Sequence, residues 1–271
     1  MQSSMNTTQG NGDASSPSKS SQKETLEMFS KLVRTRTSKR GFSDKEIEED
    51  VLRDVMTLTQ SAPSSFNTQP WSVILVRDAA VRERLSATML GHNPKKVSTA
   101  PLTAVFCSDL EPSKRLPRMA ELQRQSGTPE ERINQVAGGV NLFSGEGVVG
   151  SVMRSAVTSA ASPLQPTPEV APVIAWSYKN TAMAVQLYIM ACTAHGLTTS
   201  PMEGFDARRM RAVLDIPDRY AIPMVVATGY PAPETAGEGA FKPRRWRYPP
   251  DEVVFENSFG VAMKGIEPTF P

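Results

Sequence analysis

Two short stretches carry side chains with chemistry to offer. Arg36, Ser38 and Arg40 stand at alternate positions in Arg36-Thr37-Ser38-Lys39-Arg40-Gly41-Phe42. In an extended backbone, residues two apart share one side, so three donors converge at intervals of about 7 Å. Two guanidiniums and a hydroxyl satisfy a dianionic phosphate, each Arg with a bidentate fork available. Further on, Pro63-Ser64-Ser65-Phe66-Asn67-Thr68-Gln69-Pro70-Trp71 is a turn stiffened by proline at both ends. It holds more hydroxyls and amides than a connection needs and suits the polar edge of a flat heterocycle. Each stretch also has a plain reading: a solvated basic loop, and an Asx/Ser turn that satisfies its own backbone.

Taken together, a phosphate clamp and an amide-rich turn match flavin mononucleotide, charged at one end and hydrogen-bonding along its ring edge. The two motifs, in this order with one helix between them, resemble the FMN-dependent nitroreductase family, and the resemblance runs from about Leu26 to Val254. His92-Asn93-Pro94-Lys95-Lys96 is similar to the family's Asn/Lys segment, which places Asn93 and Lys96 at the pyrimidine side of the ring. Ser200-Pro201-Met202-Glu203-Gly204-Phe205 is similar to the family's P-x-E-G-F turn, and Gly229-Tyr230-Pro231 to the G-Y-P that closes the last core strand. Arg245 and Arg247 resemble a C-terminal basic pair returning to the phosphate, with Arg244 as the alternative.

The resemblance implies a cofactor site made of Arg36, Ser38, Arg40, Pro63, Ser64, Ser65, Asn67, Gln69, Asn93, Lys96, Pro201, Met202, Glu203, Gly204, Arg245 and Arg247. It implies no dedicated catalytic residue, the backbone N–H of Glu203 facing flavin N5. It further implies a homodimer with FMN at the subunit interface, NADH or NADPH as electron donor, and ping-pong reduction of nitroaromatics or quinones. Another flavin reaction on the same fold, such as reductive dehalogenation, and a non-catalytic flavin-binding module are the alternatives. Gly138 to Pro172 matches no motif of the family.

The elements that must position these residues follow from periodicity. Leu26, Phe29, Leu32 and Val33 mark a helix from Glu24 to Thr35. Ser43 and Glu46 fit a capping box for a helix from Asp44 to Gln60. Trp71–Val76, Leu102–Cys107 and Ile222–Gly229 read as buried strands, with helices from Ala79 to Met89 capped by Asp78 and from Asp206 to Leu214 capped by Asp206. Val173 to His195 is a helix apolar on almost every side, expected in the middle of the fold or in a subunit interface. Glu111 to Gln135 reads as charged helix broken by Pro117 and Pro129, and Ser159 to Pro172 as irregular surface chain. Gly145-Glu146-Gly147-Val148-Val149-Gly150 is a literal G-x-G-x-x-G, but a weak preceding strand and a proline-rich sequel deny it the βαβ setting of a dinucleotide fold.

The expected class is α+β: a central mixed, mainly antiparallel sheet wrapped by helices, with an extended C-terminal arm. The expected parts are a disordered tail at 1–23, an FMN-binding domain at 24–230, and an extension at 231–271 that wraps the partner subunit. The 271 residues are 39% hydrophobic and 21% charged, with a net charge of +2, too little for a nucleic-acid or membrane surface. No apolar run is long enough to span a bilayer. Cys107 and Cys192 sit in apolar runs and read as buried free thiols; no Cys/His cluster has metal-ligand spacing. A cytoplasmic location is expected, with a mitochondrion or other organelle as the alternative because the N-terminus is Ser-rich.

Overall fold

The computed structural model describes residues 18–38, 41–233 and 247–266, and only the backbone of Val148 and Val149. Contacts divide the chain into an N-terminal unit, 1–36, and a main unit, 37–271. The N-terminal unit contributes α1 (Lys19–Thr35), whose Ser18 cap accepts from the Ser21 N–H and whose last turn closes with Arg36 N–H on Leu32 C=O. It therefore starts five residues before Glu24: Lys19 to Lys23, expected in a disordered tail, are good helix formers behind a competent cap. Residues 1–17 lie outside the described residues.

The main unit is built on a four-stranded antiparallel sheet, in order β1 (Trp71–Val76), β2 (Leu102–Asp109), β4 (Tyr220–Gly229), β3 (Thr198–Met202). Its parallel component, among the described residues, is a single bridge from Ser38 to Thr199 on the β3 edge. β2 is buried along its whole length, as its unbroken apolar run requires. Strand alternation divides the core. Leu102, Ala104, Phe106 and Val226 face α2 (Glu49–Gln60) and α8 (Val173–Ala194). Val105, Cys107, Val225 and Ala227 face the cluster supplied by α3 (Ala79–Ser86), α4 (Asn93–Thr99) and α9 (Ala207–Leu214). The class is α+β, as the element pattern predicts.

Three expectations need correction. The capping box is not used: α2 begins at Glu49, and Ser43 instead gives its backbone N–H to Tyr230 C=O at 2.9 Å. Residues 41–48 are pulled straight because they are tied to the end of β4. Phe42 bridges Pro231, Tyr230 Oη donates to Glu48 Oε2 at 2.6 Å, and Lys45 lies 4.1 Å over the Tyr230 ring. The Lys45 ammonium and Tyr230 hydroxyl hold the Glu48 carboxyl down at about 2. Tertiary pairing has overridden a local cap.

The helical reading of Glu111 to Gln135, interrupted at Pro129, is borne out as a 3₁₀ turn Pro112–Arg115, α5 (Leu116–Gln125) and the start of α6 (Glu130–Phe143); the second correction is that α6 runs on to Phe143 and that α7 (Val148–Ala161) follows it. Pro117 sits in the first turn of α5, where no N–H is needed, and so starts a helix instead of breaking one. The irregular stretch shrinks to 162–172. Gly138 and Gly139 lie inside α6, so no strand precedes the G-x-G-x-x-G, and Gly147 (φ 80°) is simply the N-cap of α7. Third, Thr198–Met202 is a strand that its short mixed composition concealed. The last described segment, 247–266, holds α10 (Pro250–Val253) and a bridge from Phe255 to Ala262, with Phe259 93% exposed.

Candidate functional site

The residues picked out by motif gather in two places. The first lies at the β3 edge. After Met202 the chain leaves the sheet through Glu203-Gly204, and residues 88–93 zip against it: Leu90 N–H donates to Gly204 C=O at 2.9 Å, Asp206 N–H to Thr88 C=O at 2.7 Å, and Met89 bridges Phe205. Asn93, at the start of α4, donates from Nδ2 to Gly204 C=O at 3.2 Å and accepts from Lys96 Nζ at 2.9 Å. Pro94 in the first turn fixes that helix start. A Cβ on Gly204 would sit 3.0 Å from Asn93 Nδ2, so glycine permits this close approach. Ser38 lies on the same edge, beside Thr199.

Within this group Pro201 and Gly204 are half-buried and Glu203 is exposed. Met202 differs from the expectation. Its side chain is 4% exposed and packs in the core with Met89 and Val97, so only its backbone faces the turn. Alternation along β3 puts Met202 on the α3/α4/α9 side of the sheet.

The second place is the polar turn before β1. Ser65–Asn67 forms a 3₁₀ turn; Phe66 and Asn67 within it and Gln69 just after it take φ of 55°, 54° and 44°. Three non-glycine residues in the left-handed region cost free energy, of order 1 kcal/mol or more each, that the surroundings must offset. Part of that restraint is local: Gln69 N–H to Ser64 Oγ at 2.9 Å, Thr68 Oγ1 to Ser65 C=O at 2.8 Å, and Gln69 Nε2 to Asn67 Oδ1 at 3.2 Å. The plain reading of the turn, side chains satisfying their own backbone, is thus partly realised. The rest comes from α8. Asn180, fully buried, accepts the Ser65 N–H at 2.7 Å and anchors its own amide on Trp176 C=O at 2.8 Å.

One turn earlier, Ser177 Oγ donates to Asp109 C=O at 2.8 Å, and the next residue after Asn180, Thr181, pairs its Oγ1 with Ser108 Oγ at 2.6 Å. Ser177, Asn180 and Thr181 are spaced i, i+3, i+4, a polar stripe on a helix that reads as apolar all round. Sequence reasoning missed them because each is a single small polar residue within a long hydrophobic run; the spacing was the available signal.

Asp109 itself, at the end of β2, has a fully buried side chain held by Arg219 (Nη2–Oδ2 2.5 Å) and Arg115 (Nε–Oδ2 2.7 Å). Burial pushes its carboxyl up, but the two guanidiniums and the Glu111 N–H prevail and leave it below the usual carboxylate range. Burial also pushes the thiols up, Cys107 to about 11 and Cys192 to about 12, so both are neutral and unreactive at physiological pH.

The two places do not meet within one chain. They leave opposite edges of the sheet, since β1 and β3 are separated by β2 and β4, and at different levels, Met202 being in register through Val225 and Val105 with Ile74, three residues beyond Trp71. Three inter-strand spacings amount to about 14 Å. Phe66 does not face the β3 edge; its ring packs on Phe143 of α6 (centroids 5.7 Å apart), and a Cβ on Gly139 would fall 2.5 Å from its Cε1. Of the remaining site residues, Pro63 is exposed before the turn, Arg36 belongs to the N-terminal unit, and Arg247 opens the last described segment. Arg40, Arg244 and Arg245 lie outside the described residues.

A family model described as the nitroreductase family matches residues 33–230. The chain belongs to the nitroreductase family. A Thermus thermophilus NADH dehydrogenase is 30% identical over 199 residues, covering 73% of this chain and 84% of that protein. Among solved structures, a nitroreductase family protein from Streptococcus pneumoniae aligns with a TM-score of 0.64 at 22% identity, covering 84% of this chain and 99% of the other. A protein of Exiguobacterium sibiricum assigned as a nitroreductase and solved in complex with FMN aligns with a TM-score of 0.59 at 16% identity, covering 81% and 93%. At these identities the solved structures establish the fold. Nitroreductases are oxidoreductases, and this chain takes its place among them. Among the described residues, no helix is long and apolar enough to cross a membrane, and no group of His, Cys, Asp and Glu could hold a metal ion.

Proposed function

We propose that the protein is an FMN-dependent oxidoreductase that takes electrons from NAD(P)H and delivers them to a nitroaromatic or quinone acceptor. The observation that carries this reading is the division of the motif residues into two half-sites. One offers a cation, an amide, a hydroxyl and a glycine-lined approach at the β3 edge; the other offers a strained amide-rich turn at the β1 edge. Their chemistry fits FMN. Lys96, fixed by Asn93, is a charge-stabilising donor for the electron-rich edge of a reduced ring, and Gly204, lacking a Cβ, lets the Asn93 amide close on it and hold that arrangement. Arg36, Arg40, Arg245 and Arg247 supply charge and Ser38 a hydroxyl for the phosphate, and Ser64, Ser65, Asn67 and Gln69 the amides and hydroxyls for the ring edge. When bound, FMN supplies two-electron transfer, accepting a hydride from NAD(P)H and passing the electrons on.

Because the half-sites leave opposite edges of one sheet, the reading assigns them to two subunits: the β3 edge of one protomer faces the polar turn of its partner. The arm at 231–271 then lies against the partner, which accounts for an almost wholly exposed Phe259 together with exposed Val261 and Met263. The acceptor leaves the second half-reaction to positioning, with no proton-transfer residue assigned.

Complementation between subunits tests this. Lys96→Ala and the pair Asn67→Ala/Gln69→Ala each disable one half-site, and each homodimer loses most of its NADH-dependent turnover. Co-expressed, they form mixed dimers in which one of two sites is intact, so activity recovers to about a quarter of the wild-type value. Activity no higher than that of the separate variants would refute a site shared between subunits.

A further inference from the structure

We infer that the cavity beside the polar turn selects planar aromatic acceptors that carry an acidic group, with Lys179 as the specificity-determining residue. The inference rests on the placement of FMN at Ser65 given above and goes beyond it to the class of acceptor. The cavity, of about 360 Å³, is lined by Ser65, Phe66, Phe143, Trp176, Lys179 and Glu169. That volume lies at the lower end of small-molecule sites and suits a ligand of one or two rings. Its walls are aromatic from three different elements: the turn, α6 and α8. Phe66 is held against Phe143 by a left-handed backbone, and Gly139 gives up its side chain to let that ring in. Faces and edges of this kind stack on a flat π system.

The polar members distinguish one ring from another. Lys179 and Glu169 are exposed side chains on the same cavity, and neither forms an ion pair among the described residues. An acidic substituent gains from the Lys179 ammonium and is repelled by the Glu169 carboxylate, so it sits on the Lys179 side. A neutral ring senses neither charge. The chemistry is the two-electron reduction already proposed: NAD(P)H, a proton and a nitro group give NAD(P)⁺, a nitroso group and water, with one N–O bond broken.

The test compares 4-nitrobenzoate with nitrobenzene as acceptors in the purified holoprotein, after flavin content and anaerobic bleaching by NADH have been measured. Wild type prefers the benzoate. Lys179→Gln reduces the ratio of kcat/KM values (benzoate over nitrobenzene) roughly three- to fivefold, as an exposed charge contact allows, and Glu169→Gln increases it. Neither variant changes the rate of bleaching by NADH. Calorimetry with 4-hydroxybenzoate, which has no nitro group to reduce, shows the same order of affinities. An unchanged ratio and unchanged benzoate affinity in both variants, with flavin and bleaching intact, would overturn the acceptor proposal alone. A protein without flavin that nevertheless binds benzoate through Lys179 would keep the pocket and overturn the placement of FMN.

Discussion

Replacing Asn180 by alanine tests how the fold holds its polar turn. The side chain is fully buried and makes two contacts: it accepts the Ser65 N–H at 2.7 Å and donates to Trp176 C=O at 2.8 Å. The second loss is mild, because that carbonyl is already placed to accept within the helix. The first is not, since the Ser65 N–H then has no acceptor in a part-buried position. An orphaned donor costs about 1–3 kcal/mol, and the small cavity left by the amide adds roughly 1 kcal/mol. We therefore expect Asn180→Ala to lose about 2–4 kcal/mol in urea denaturation, with the midpoint moving and the slope unchanged.

The functional consequence is separable from that loss. Phe66, Asn67 and Gln69 keep positive φ values only while the turn is restrained from outside, so releasing Ser65 lets them relax. FMN affinity, measured by fluorescence titration at a temperature where the variant is fully folded, should fall by at least about tenfold. A variant with an unchanged urea midpoint, or one that is destabilised but binds FMN as tightly as wild type, would refute the claim that α8 holds the turn in its binding shape.

Two further outcomes follow from buried charge and buried sulfur. The depressed carboxyl of Asp109 makes its stabilisation complete above the ordinary carboxyl value of about 4, and the stabilisation is lost as pH falls through the lower folded value. Asp109→Asn should thus show a shallower loss of stability than wild type between pH 6 and pH 3, while Asp109→Ala, which strands Arg115 and Arg219, costs about 3 kcal/mol at pH 7; equal pH slopes would contradict the assignment. Cys107 and Cys192 should react with a thiol reagent only after unfolding, giving two equivalents in denaturant and almost none in the native protein, and rapid labelling of the folded chain would count against their burial.

What the sequence disclosed depended on the range of the forces involved. Trp71–Val76, Leu102–Cys107 and the Val173 helix were legible because an element packed against the core must carry an apolar run, whatever its neighbours; the last two residues of β2, Ser108 and Asp109, are polar and were missed. Asp78 and Asp206 were legible as caps because each satisfies N–H groups two or three residues away. Ser43 and Glu46 offered the same local pattern, yet the Tyr230 backbone and hydroxyl, almost 190 residues on, claimed the segment first. The end of α6 and the whole of α7 were hidden by their glycines, which read as loop, although Gly139 is what lets Phe66 reach the helix surface.

The site divides along the same line. Asn93–Lys96 and Glu203-Gly204 are each a contiguous motif, legible on its own although the two meet only through a contact spanning 111 residues. Asn180 acts at a distance of 115 residues through one side chain, and Lys179 matters only because a cavity brings it beside Phe66. Neither carries a local signature. The arginines proposed for the phosphate, by contrast, are plain in sequence and lie partly outside the described residues.

The central claim is that this chain holds FMN and reduces it with a nicotinamide. It is tested most directly by the visible spectrum of the purified protein, reconstituted with FMN and then mixed anaerobically with NADH or NADPH. The account predicts a yellow protein with about one flavin per chain that bleaches with at least one of the two donors and regains its colour on adding a nitroaromatic or a quinone. A protein that stays colourless after reconstitution, or a bound flavin that neither nicotinamide bleaches, would contradict it.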